Sequence, residues 1–279
     1  MNRNQHMFLP TILFTVVLGC SGFGQGAPDG RVVAKIADPS RPASVSVHII
    51  QGNITVQGGN AQDVTVEARL RDDHEERRSD RNAAGMKRIP MTSSGLNVEA
   101  ENNQVRITTD QTQRTVDLTI TVPVRSSLSL KTINDGNIVV TGVDGELDVN
   151  DINGNVTLKN VSGSVVAHAL NGNVVVTMNR ADAKPMAFSS LNGNIDVTFP
   201  ADLKATVSMR TDNGEVYSDF DVQLDTTAPR QIVEDGRSSG GKYRVRMDKT
   251  VRGKIGGGGP EIQFKNFNGN IYIRKAGAK

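Results

Sequence analysis

The sequence predicts an all-β protein built as a parallel β-solenoid. The main observation is a glycine that returns every nine residues through the middle of the chain. A second is that apolar residues occupy fixed places between those glycines. A third is composition: aromatic residues make up 4% of the chain and tryptophan is absent. The core must therefore be built from valine, isoleucine and leucine, which favour strands.

The repeat begins at Gly136 and runs without exception to Asn173. With the glycine counted as position one, positions three, five and eight are apolar in each of four units. The repeat glycines are Gly136, Gly145, Gly154, Gly163 and Gly172, and the apolar sets are Ile138/Val140/Val143, Leu147/Val149/Ile152, Val156/Leu158/Val161 and Val165/Ala167/Leu170.

This pattern predicts a strand and a corner in every unit. Positions three and five share one face of a strand, because side chains alternate along β-structure. Position eight can face inward again only if the backbone bends, and a glycine beside an asparagine is expected to supply left-handed dihedral angles for that bend. Two units would then form one coil of 18 residues, and the glycine spacing lengthens to 21 at Gly193 and Gly214. The prediction is a solenoid with two strands per coil and coils of roughly 18–21 residues.

Asparagines flank the glycines on one predicted edge, where they would stack from coil to coil. Stacked asparagines can hydrogen-bond between coils that lie about 4.8 Å apart. Their expected role is to form turns, and a ligand-binding edge is the alternative. The residues assigned to these turns are Gly136, Asn137, Gly154, Asn155, Gly172, Asn173, Gly193, Asn194, Gly214, Gly269 and Asn270.

The N-terminus is predicted to be an export signal spanning residues 1–24. An apolar run from Met7 to Gly19 follows Arg3 and is too short to span a bilayer. It ends in Val17-Leu18-Gly19-Cys20-Ser21, which resembles a bacterial lipobox. Cys20, the single cysteine, is therefore the predicted lipid-attachment residue, with cleavage before it. An ordinary signal peptide cleaved a few residues later, which would discard Cys20, is the alternative.

Residues 25–43 are predicted to be a tether, and 44–125 an irregular N-terminal β region that caps the solenoid. Solenoid repeats and a C-terminal cap are assigned to 126–279. Residues 71–88 interrupt the first region with mixed charges, which favours a solvated loop over a metal site. An antiparallel β-sandwich is the competing fold, since Asn-Gly also marks hairpins. The strict nine-residue register favours stacking.

Three segments resemble a bacterial "putative adhesin" family of unknown function, whose members are exported proteins and often lipoproteins. They are Val116–Pro123, Leu128–Ile133 leading into the Asn-Gly-Asn repeats, and Gly253–Pro260 followed by Asn268–Ile271. The resemblance covers most of the chain after about Ser44. It implies an exported β-solenoid-like domain and carries over no catalytic residue.

No catalytic, metal or cofactor site is predicted. Asp135, Asp144, Asp148 and Asp151 lie close in sequence, but turn formation explains them better than glycoside hydrolysis. The histidines are scattered, without the spacing of a zinc site. A net charge of +2 gives no footprint for nucleic acid.

The leading functional hypothesis is a non-catalytic envelope protein, exported to the periplasm or outer membrane. It would offer a long face to an envelope protein or glycan, since repeat surfaces serve as extended platforms. Ser21 after the cysteine resembles the sorting signal for the outer membrane. A polysaccharide-active enzyme and an accessory protein of envelope stress are the alternatives.

Overall fold

The computed structural model describes residues 30–71, 94–110, 114–134, 136–225, 231–235, 243–247 and 249–277. The predicted signal peptide, Cys20, most of the charged loop and Asp135 lie outside the described residues. Within the described ranges no helix is long and apolar enough to cross a bilayer.

The described residues form strands joined by turns. The strands are β1 (Gly30–Ala34), β2 (Ala43–His48), β3 (Ile54–Gly59), β4 (Val64–Leu70), β5 (Leu96–Glu101), β6 (Gln104–Thr109), β7 (Val116–Pro123), β8 (Ser126–Thr132), β9 (Ile138–Thr141), β10 (Asp144–Asp151), β11 (Val156–Asn171), β12 (Val174–Ala181), β13 (Met186–Asn192), β14 (Ile195–Phe199), β15 (Ala205–Asn213), β16 (Val216–Ser218), β17 (Gln223–Leu224), β18 (Gln231–Asp235), β19 (Tyr243–Met247), β20 (Val251–Ile255), β21 (Glu261–Asn268) and β22 (Ile271–Lys275).

Parallel pairing stacks these strands into two faces of a flattened solenoid, and each coil contributes one strand to each face. Face A has the order β6-β2-β8-β10-β11-β13-β21-β15. Face B has the order β7-β3-β9-β11-β12-β14-β22-β16. Strand β11 turns the corner and serves both faces. The predicted parallel β-solenoid with two strands per coil is confirmed.

In the part of the chain that the structure describes, the stack contains eight coils, here called rungs, and their spatial order differs from the chain order. From one end, rung 1 is β6–β7, rung 2 is β2–β3, rung 3 is β8–β9, rung 4 is β10 with the start of β11, rung 5 is the end of β11 with β12, rung 6 is β13–β14, rung 7 is β21–β22 and rung 8 is β15–β16. The first pair of rung strands in the chain, β2–β3, thus lies second from one end of the stack. The last pair, β21–β22, lies second from the other end. Each terminal rung is held by a segment distant in sequence.

The first of these insertions involves β2, β3, β6 and β7, which lie in the region predicted to be an irregular β cap, 44–125. Rungs 1 and 2 come from this region and continue the parallel register of rung 3. The second insertion places rung 7 between rungs 6 and 8. Gly269, on rung 7, therefore lies between Gly193 and Gly214. These two glycines, 21 residues apart in sequence, therefore do not belong to adjacent rungs.

Antiparallel strands extend the faces at both ends. At the first end β5 pairs with β6, while β4 and then β1 extend face B from β7. At the other end β20 and then β17 extend face A from β15. Such extensions protect terminal strands that would otherwise offer unpaired backbone groups to another chain. Strands β18 and β19 pair antiparallel in a separate two-stranded sheet.

The two faces enclose a dry core made mainly of valine, isoleucine and leucine. Three phenylalanines fill it near rungs 6 and 7. Phe188 stacks on Phe264 with centroids 5.4 Å apart, and Phe199 meets both rings edge-on. Rings in offset stacks and edge contacts attract each other beyond their area burial. The larger side chains lie where the inserted rung 7 joins the stack.

Position eight does not behave alike on the two faces. On face B, Val143 and Val161 are buried as the repeat predicts. On face A, Ile152 and Leu170 were expected inside, and this expectation is wrong because both are only partly buried. On that face β-alternation continues past position five, so position seven enters the core and position eight faces outward.

Candidate functional site

One edge of the stack carries a continuous asparagine ladder at position two. The Oδ1 of Asn137 accepts a hydrogen bond from the Asn155 backbone N–H at 2.9 Å. Asn155 and Asn173 repeat the contact to the next rung at 2.8 and 2.7 Å. The members in rung order are Asn53, Asn137, Asn155, Asn173, Asn194 and Asn270. The amide oxygens are therefore used in holding rungs together.

Charged residues end this ladder. At the first end the Asp117 carboxylate accepts from the Asn53 N–H and pairs with Arg71. At the other end the Glu215 N–H donates to Asn270. The ladder is thus closed at each end by a group that hydrogen-bonds to it. The amide oxygens at position two all accept bonds within the ladder or at its end, so they give no support to the alternative in which this edge binds a ligand.

A second asparagine ladder, which the sequence reasoning missed, runs beside the first. Here the amide nitrogen of each side chain donates to the amide oxygen on the preceding rung, for instance from Asn171 to Asn153 at 2.9 Å. The signal was in the sequence, since an asparagine precedes as well as follows the glycine once per coil, as at Gly154, Gly172 and Gly193. The members are Asn134, Asn153, Asn171, Asn192, Asn268 and Asn213.

The glycines between these ladders are needed for close approach. A Cβ on Gly154 would overlap the carbonyl oxygen of Gly136, and one on Gly172 would overlap that of Gly154. Neither Gly154 nor Gly172 has a positive φ, so left-handed dihedral angles are not the reason for glycine there. The same overlap recurs along the column from Gly136 through Gly193 and Gly269 to Gly214. The turn glycines therefore allow neighbouring backbones to approach without a side chain between them.

Position seven on face A points at this glycine column from inside. In four rungs its side chain donates a hydrogen bond to the glycine carbonyl of the preceding rung. The pairs are Thr132 with Gly52, Ser190 with Gly172, Asn266 with Gly193 and Thr211 with Gly269, at 3.3, 2.9, 2.8 and 3.0 Å. At position seven, where strand and corner meet, a polar side chain thus repeatedly supplies the hydrogen bond that the glycine carbonyl accepts.

Asp151 occupies position seven of rung 4 and is fully buried. Its register neighbours, Thr132 and Ala169, carry no charge. The Asn153 N–H lies near the carboxylate, but within the described residues neither carboxylate oxygen has a partner that meets the geometry of a hydrogen bond. Burial raises the pKa of Asp151 to about 7, with the Asn153 N–H opposing the shift. A carboxyl that keeps its proton can donate to the Gly136 carbonyl, as its equivalents do on other rungs.

The outward position eight of face A is apolar in six successive rungs. These side chains form a column, here called the ridge, that runs along the stack beside the second asparagine ladder. The ridge consists of Ile50, Ile133, Ile152, Leu170, Leu191 and Phe267. The ridge is most exposed at rungs 6 and 7, where Leu191 is 38% and Phe267 is 45% exposed. Val166, 44% exposed at position four of rung 5, widens the apolar surface.

Aspartates stand at both ends of the ridge. Continuing the register of β2 with β6 places Asp110 beside Ile50, on rung 1. The register of β15 with β21 places Asp212 beside Phe267, on rung 8. Asp212 pairs with Arg210 and lies 3.8 Å from Lys249. An aspartate therefore follows the apolar column at each end. Asp212 is the residue at position eight of rung 8, where the repeat would otherwise have an apolar residue.

Face B carries a cluster of aromatic and charged side chains at rungs 6 to 8. Tyr217 and Tyr272 stack with centroids 5.4 Å apart and planes 10° apart. Arg274 lies 5.3 Å from the Tyr272 centroid and forms two hydrogen bonds with Asp196. Tyr217 is 48% exposed, and its hydroxyl donates to Glu215. The cluster offers one aromatic surface with polar neighbours.

Of the acidic residues considered for hydrolysis, Asp135 lies outside the described residues, and the other three do not meet. Asp144 pairs with Arg180 at the edge opposite the asparagine ladders. Asp148 faces outward on face A, and Asp151 is in the interior. His168 contacts the Ser189 hydroxyl at 2.6 Å, and burial lowers its pKa. Within the described ranges no three histidine, cysteine or acidic residues form a group able to hold a metal ion.

The family description that matches is Toastrack DUF4097, over residues 33–252. The chain belongs to the Toastrack DUF4097 family. The predicted resemblance to an adhesin-like family of unknown function is thereby confirmed. No curated protein matches the chain significantly.

Two solved structures resemble this Toastrack chain at low similarity. One is described as a "putative cell adhesion protein" from Clostridium sporogenes, with 10% identity and a TM-score of 0.40 over 88% of this chain and 99% of that one. The other is a "putative adhesin" from Bacteroides fragilis, with 13% identity and a TM-score of 0.39 over 88% of this chain and 95% of that one.

Proposed function

We propose that this Toastrack protein is an exported, lipid-tethered docking protein of the cell envelope, without catalytic activity. The observation that carries the proposal is the ridge. Single exposed apolar residues are normal on soluble proteins, but contiguous apolar surface marks interaction sites. Here six neighbouring rungs place an apolar side chain outward at the same position, and polar residues flank the column.

Folding alone does not account for the ridge. Position eight faces the core on face B, where valine is buried, and faces solvent on face A. A threonine or serine would suit an outward strand position equally well, as serine does at Ser129 and Ser189 on the same face. An apolar side chain repeated at a partly exposed position gains most when a partner covers it, at about 25 cal/mol per Å² of apolar area buried.

Site-specific photo-crosslinking in intact cells tests the proposal. A photoreactive amino acid at Leu191 probes the ridge, and one at Val175, which is 40% exposed on face B, is the matched control. Docking through the ridge predicts a crosslinked adduct from the Leu191 probe that is weak or absent from the Val175 probe. Equal adducts, or none from Leu191, would remove the ridge as the docking surface.

The envelope location rests on the N-terminal signal and needs its own test. Metabolic labelling with a fatty acid should mark the wild-type protein and not the Cys20→Ala variant. Ser21 after the cysteine favours the outer membrane for the lipidated form, because it resembles the sorting pattern of such lipoproteins. Unchanged labelling in the variant would show that Cys20 is not the attachment residue.

A glycan partner is the second candidate, and the tyrosine cluster favours it. The open face of Tyr217 can stack on the apolar face of a sugar ring, while Glu215 and Arg274 supply hydrogen-bonding groups beside it. Co-sedimentation with insoluble envelope polysaccharide should then fall in Tyr217→Ala and persist in Val175→Ala. Equal retention of both variants would exclude this role for the cluster.

A further inference from the structure

We infer that Asn213 is a site of spontaneous covalent modification at the rung 8 end of the stack. Its side-chain amide is converted to a carboxylate by attack of the backbone nitrogen that follows it, and the product loosens β16 from rung 7. The chain contains five Asn-Gly pairs, and all of them lie on the second asparagine ladder, one in each of rungs 4 to 8. Of these five, the pair on rung 8 is the least held by its neighbours.

Asn-Gly is the dipeptide in which this reaction meets the least steric resistance. Asparagine is a thermolabile residue, and glycine has no side chain to keep its nitrogen away from the asparagine Cγ. The Gly214 nitrogen loses its proton to water or hydroxide and forms a bond to the Asn213 Cγ. The bond from Cγ to Nδ2 breaks, and Nδ2 leaves as ammonia after taking a proton from solvent. Water then opens the cyclic imide at either carbonyl, which yields aspartate or isoaspartate without any oxidant or reductant.

Ladder bonds hold the asparagines of rungs 4 to 7 from both sides. Each amide nitrogen donates to the preceding rung and each amide oxygen accepts from the following one, as Asn192 does with Asn171 and Asn268, both at 2.8 Å. Asn213 donates to Asn268 at 2.8 Å, but among the described residues no donor reaches its Oδ1. Turning the Asn213 amide toward its own backbone therefore breaks one ladder bond, whereas an internal rung must break two.

The attacking nitrogen is also less protected on rung 8. The Gly193 N–H donates to the Asn268 carbonyl at 3.0 Å, and the Gly269 N–H donates to the Asn213 carbonyl at 2.9 Å. The same direction carries the Gly214 N–H away from rung 7, where the described part of the chain has no further rung and β20 ends its pairing before this corner. Gly214 is exposed, while the glycines of the other four pairs are partly buried. Solvent base therefore reaches the Gly214 nitrogen most readily.

The first end of the ladder offers no equivalent site. Asn134 begins the ladder, but aspartate follows it in the sequence instead of glycine. The register places Gln51 beside Asn134 on rung 2, and glutamine would have to close a larger ring. An open ladder end and the reactive dipeptide thus coincide at rung 8.

The modification weakens the rung that carries it. A carboxylate at position 213 cannot donate to the Asn268 Oδ1, so a hydrogen bond is replaced by two facing oxygens. Isoaspartate also adds a backbone carbon between β15 and β16. Strand β15 pairs with rung 7 through seven residues and β16 through three, so β16 is the segment that separates. Tyr217, on β16, then leaves its stack on Tyr272.

Peptide mapping by mass spectrometry tests the site in the purified protein during incubation at mildly alkaline pH. Asn213 should lose its amide at least about tenfold faster than Asn192 and Asn268, a difference of about 1.4 kcal/mol in the cost of opening. The two slower residues belong to the same dipeptide in the same chain and are therefore matched controls. In urea the three should react at similar rates. Equal rates in the folded protein, or a preference for Asn213 that persists in urea, would overturn the inference.

Hydrogen exchange tests the release of β16. The Ile271 N–H donates to the Glu215 carbonyl at 2.9 Å and reports on β16, while the Thr206 N–H donates to the Pro260 carbonyl at 3.0 Å and reports on β15. In the modified fraction, separated by charge, exchange at Ile271 should rise at least about tenfold while Thr206 stays protected.

The control is Asn213→Ser, which has no amide to lose and should show no increase in exchange during the incubation. Unchanged exchange at Ile271 in the modified fraction, or an equal rise at Ile271 and Thr206, would overturn the release of β16. An increase in Asn213→Ser as large as that in wild type would show that the loosening does not come from this residue.

Discussion

Replacing Asp151 by asparagine is expected to stabilise the protein at neutral and alkaline pH. Asparagine keeps the size of the side chain and supplies an N–H donor toward the Gly136 carbonyl, as Asn266 does toward Gly193 at 2.8 Å. The substitution also removes the proton that Asp151 must retain while buried. Asp148→Asn, on the same strand but facing solvent, is the matched control.

The magnitude follows from the pKa of Asp151, which burial raises to about 7. A carboxyl group in the unfolded chain titrates near 3.9, so the folded state binds the extra proton between about pH 4 and pH 7, and stability falls as pH rises through that window. A shift of about three units corresponds to at most about 4 kcal/mol, and solvent and polar screening of the ionised group lower this to about 2 kcal/mol.

The assay is urea denaturation of wild type, Asp151→Asn and Asp148→Asn at pH 4 and pH 8. The advantage of Asp151→Asn over wild type should grow by about 2 kcal/mol between these pH values, while Asp148→Asn should stay within about 0.5 kcal/mol of wild type. An Asp151→Asn protein that is less stable than wild type at pH 8, or an advantage independent of pH, would refute the reasoning.

Two further substitutions test the edge of the stack. Gly154→Ala should lose at least about 3 kcal/mol or fail to fold, because its Cβ would overlap a backbone carbonyl that cannot move away, whereas Gly59→Ala, with open space at its Cβ, should be tolerated. Asn155→Ala removes the acceptor of the Asn173 N–H and should lower the free energy of unfolding by about 1–2 kcal/mol, measured by urea denaturation. Equal stability of the two glycine variants, or an unchanged Asn155→Ala midpoint, would contradict these roles.

Much of the fold follows from local pattern. The alternation at positions three and five predicted the strands, and the nine-residue glycine period predicted two corners per coil. The expectation for position eight is wrong on face A because the polar residue at position seven enters the core there instead. The chain places Thr132, Asp151 and Ser190 there, and each is buried. A hydropathy pattern cannot distinguish a polar side chain that points inward from one that is solvated. The structure distinguishes them, because it shows the glycine carbonyls to which the inward side chains donate.

Rung order lay beyond the sequence pattern. The sequences of β2–β3 and β21–β22 do not predict which rungs these strands pair with, because each carries the same apolar alternation as its neighbours. Non-local pairing decides it. The ridge depends on that order, since Ile50 and Phe267 extend the column only when their rungs are inserted beside rungs 3 and 6.

Hydroxyl-radical footprinting of the exported protein in intact cells tests most directly whether the ridge is covered when the protein works. Oxidation of Leu191 and Phe267 should fall several-fold relative to dilute purified protein, while oxidation of Val175 on face B should be unchanged. Equal oxidation of the ridge residues in both settings would contradict a docking role for this surface.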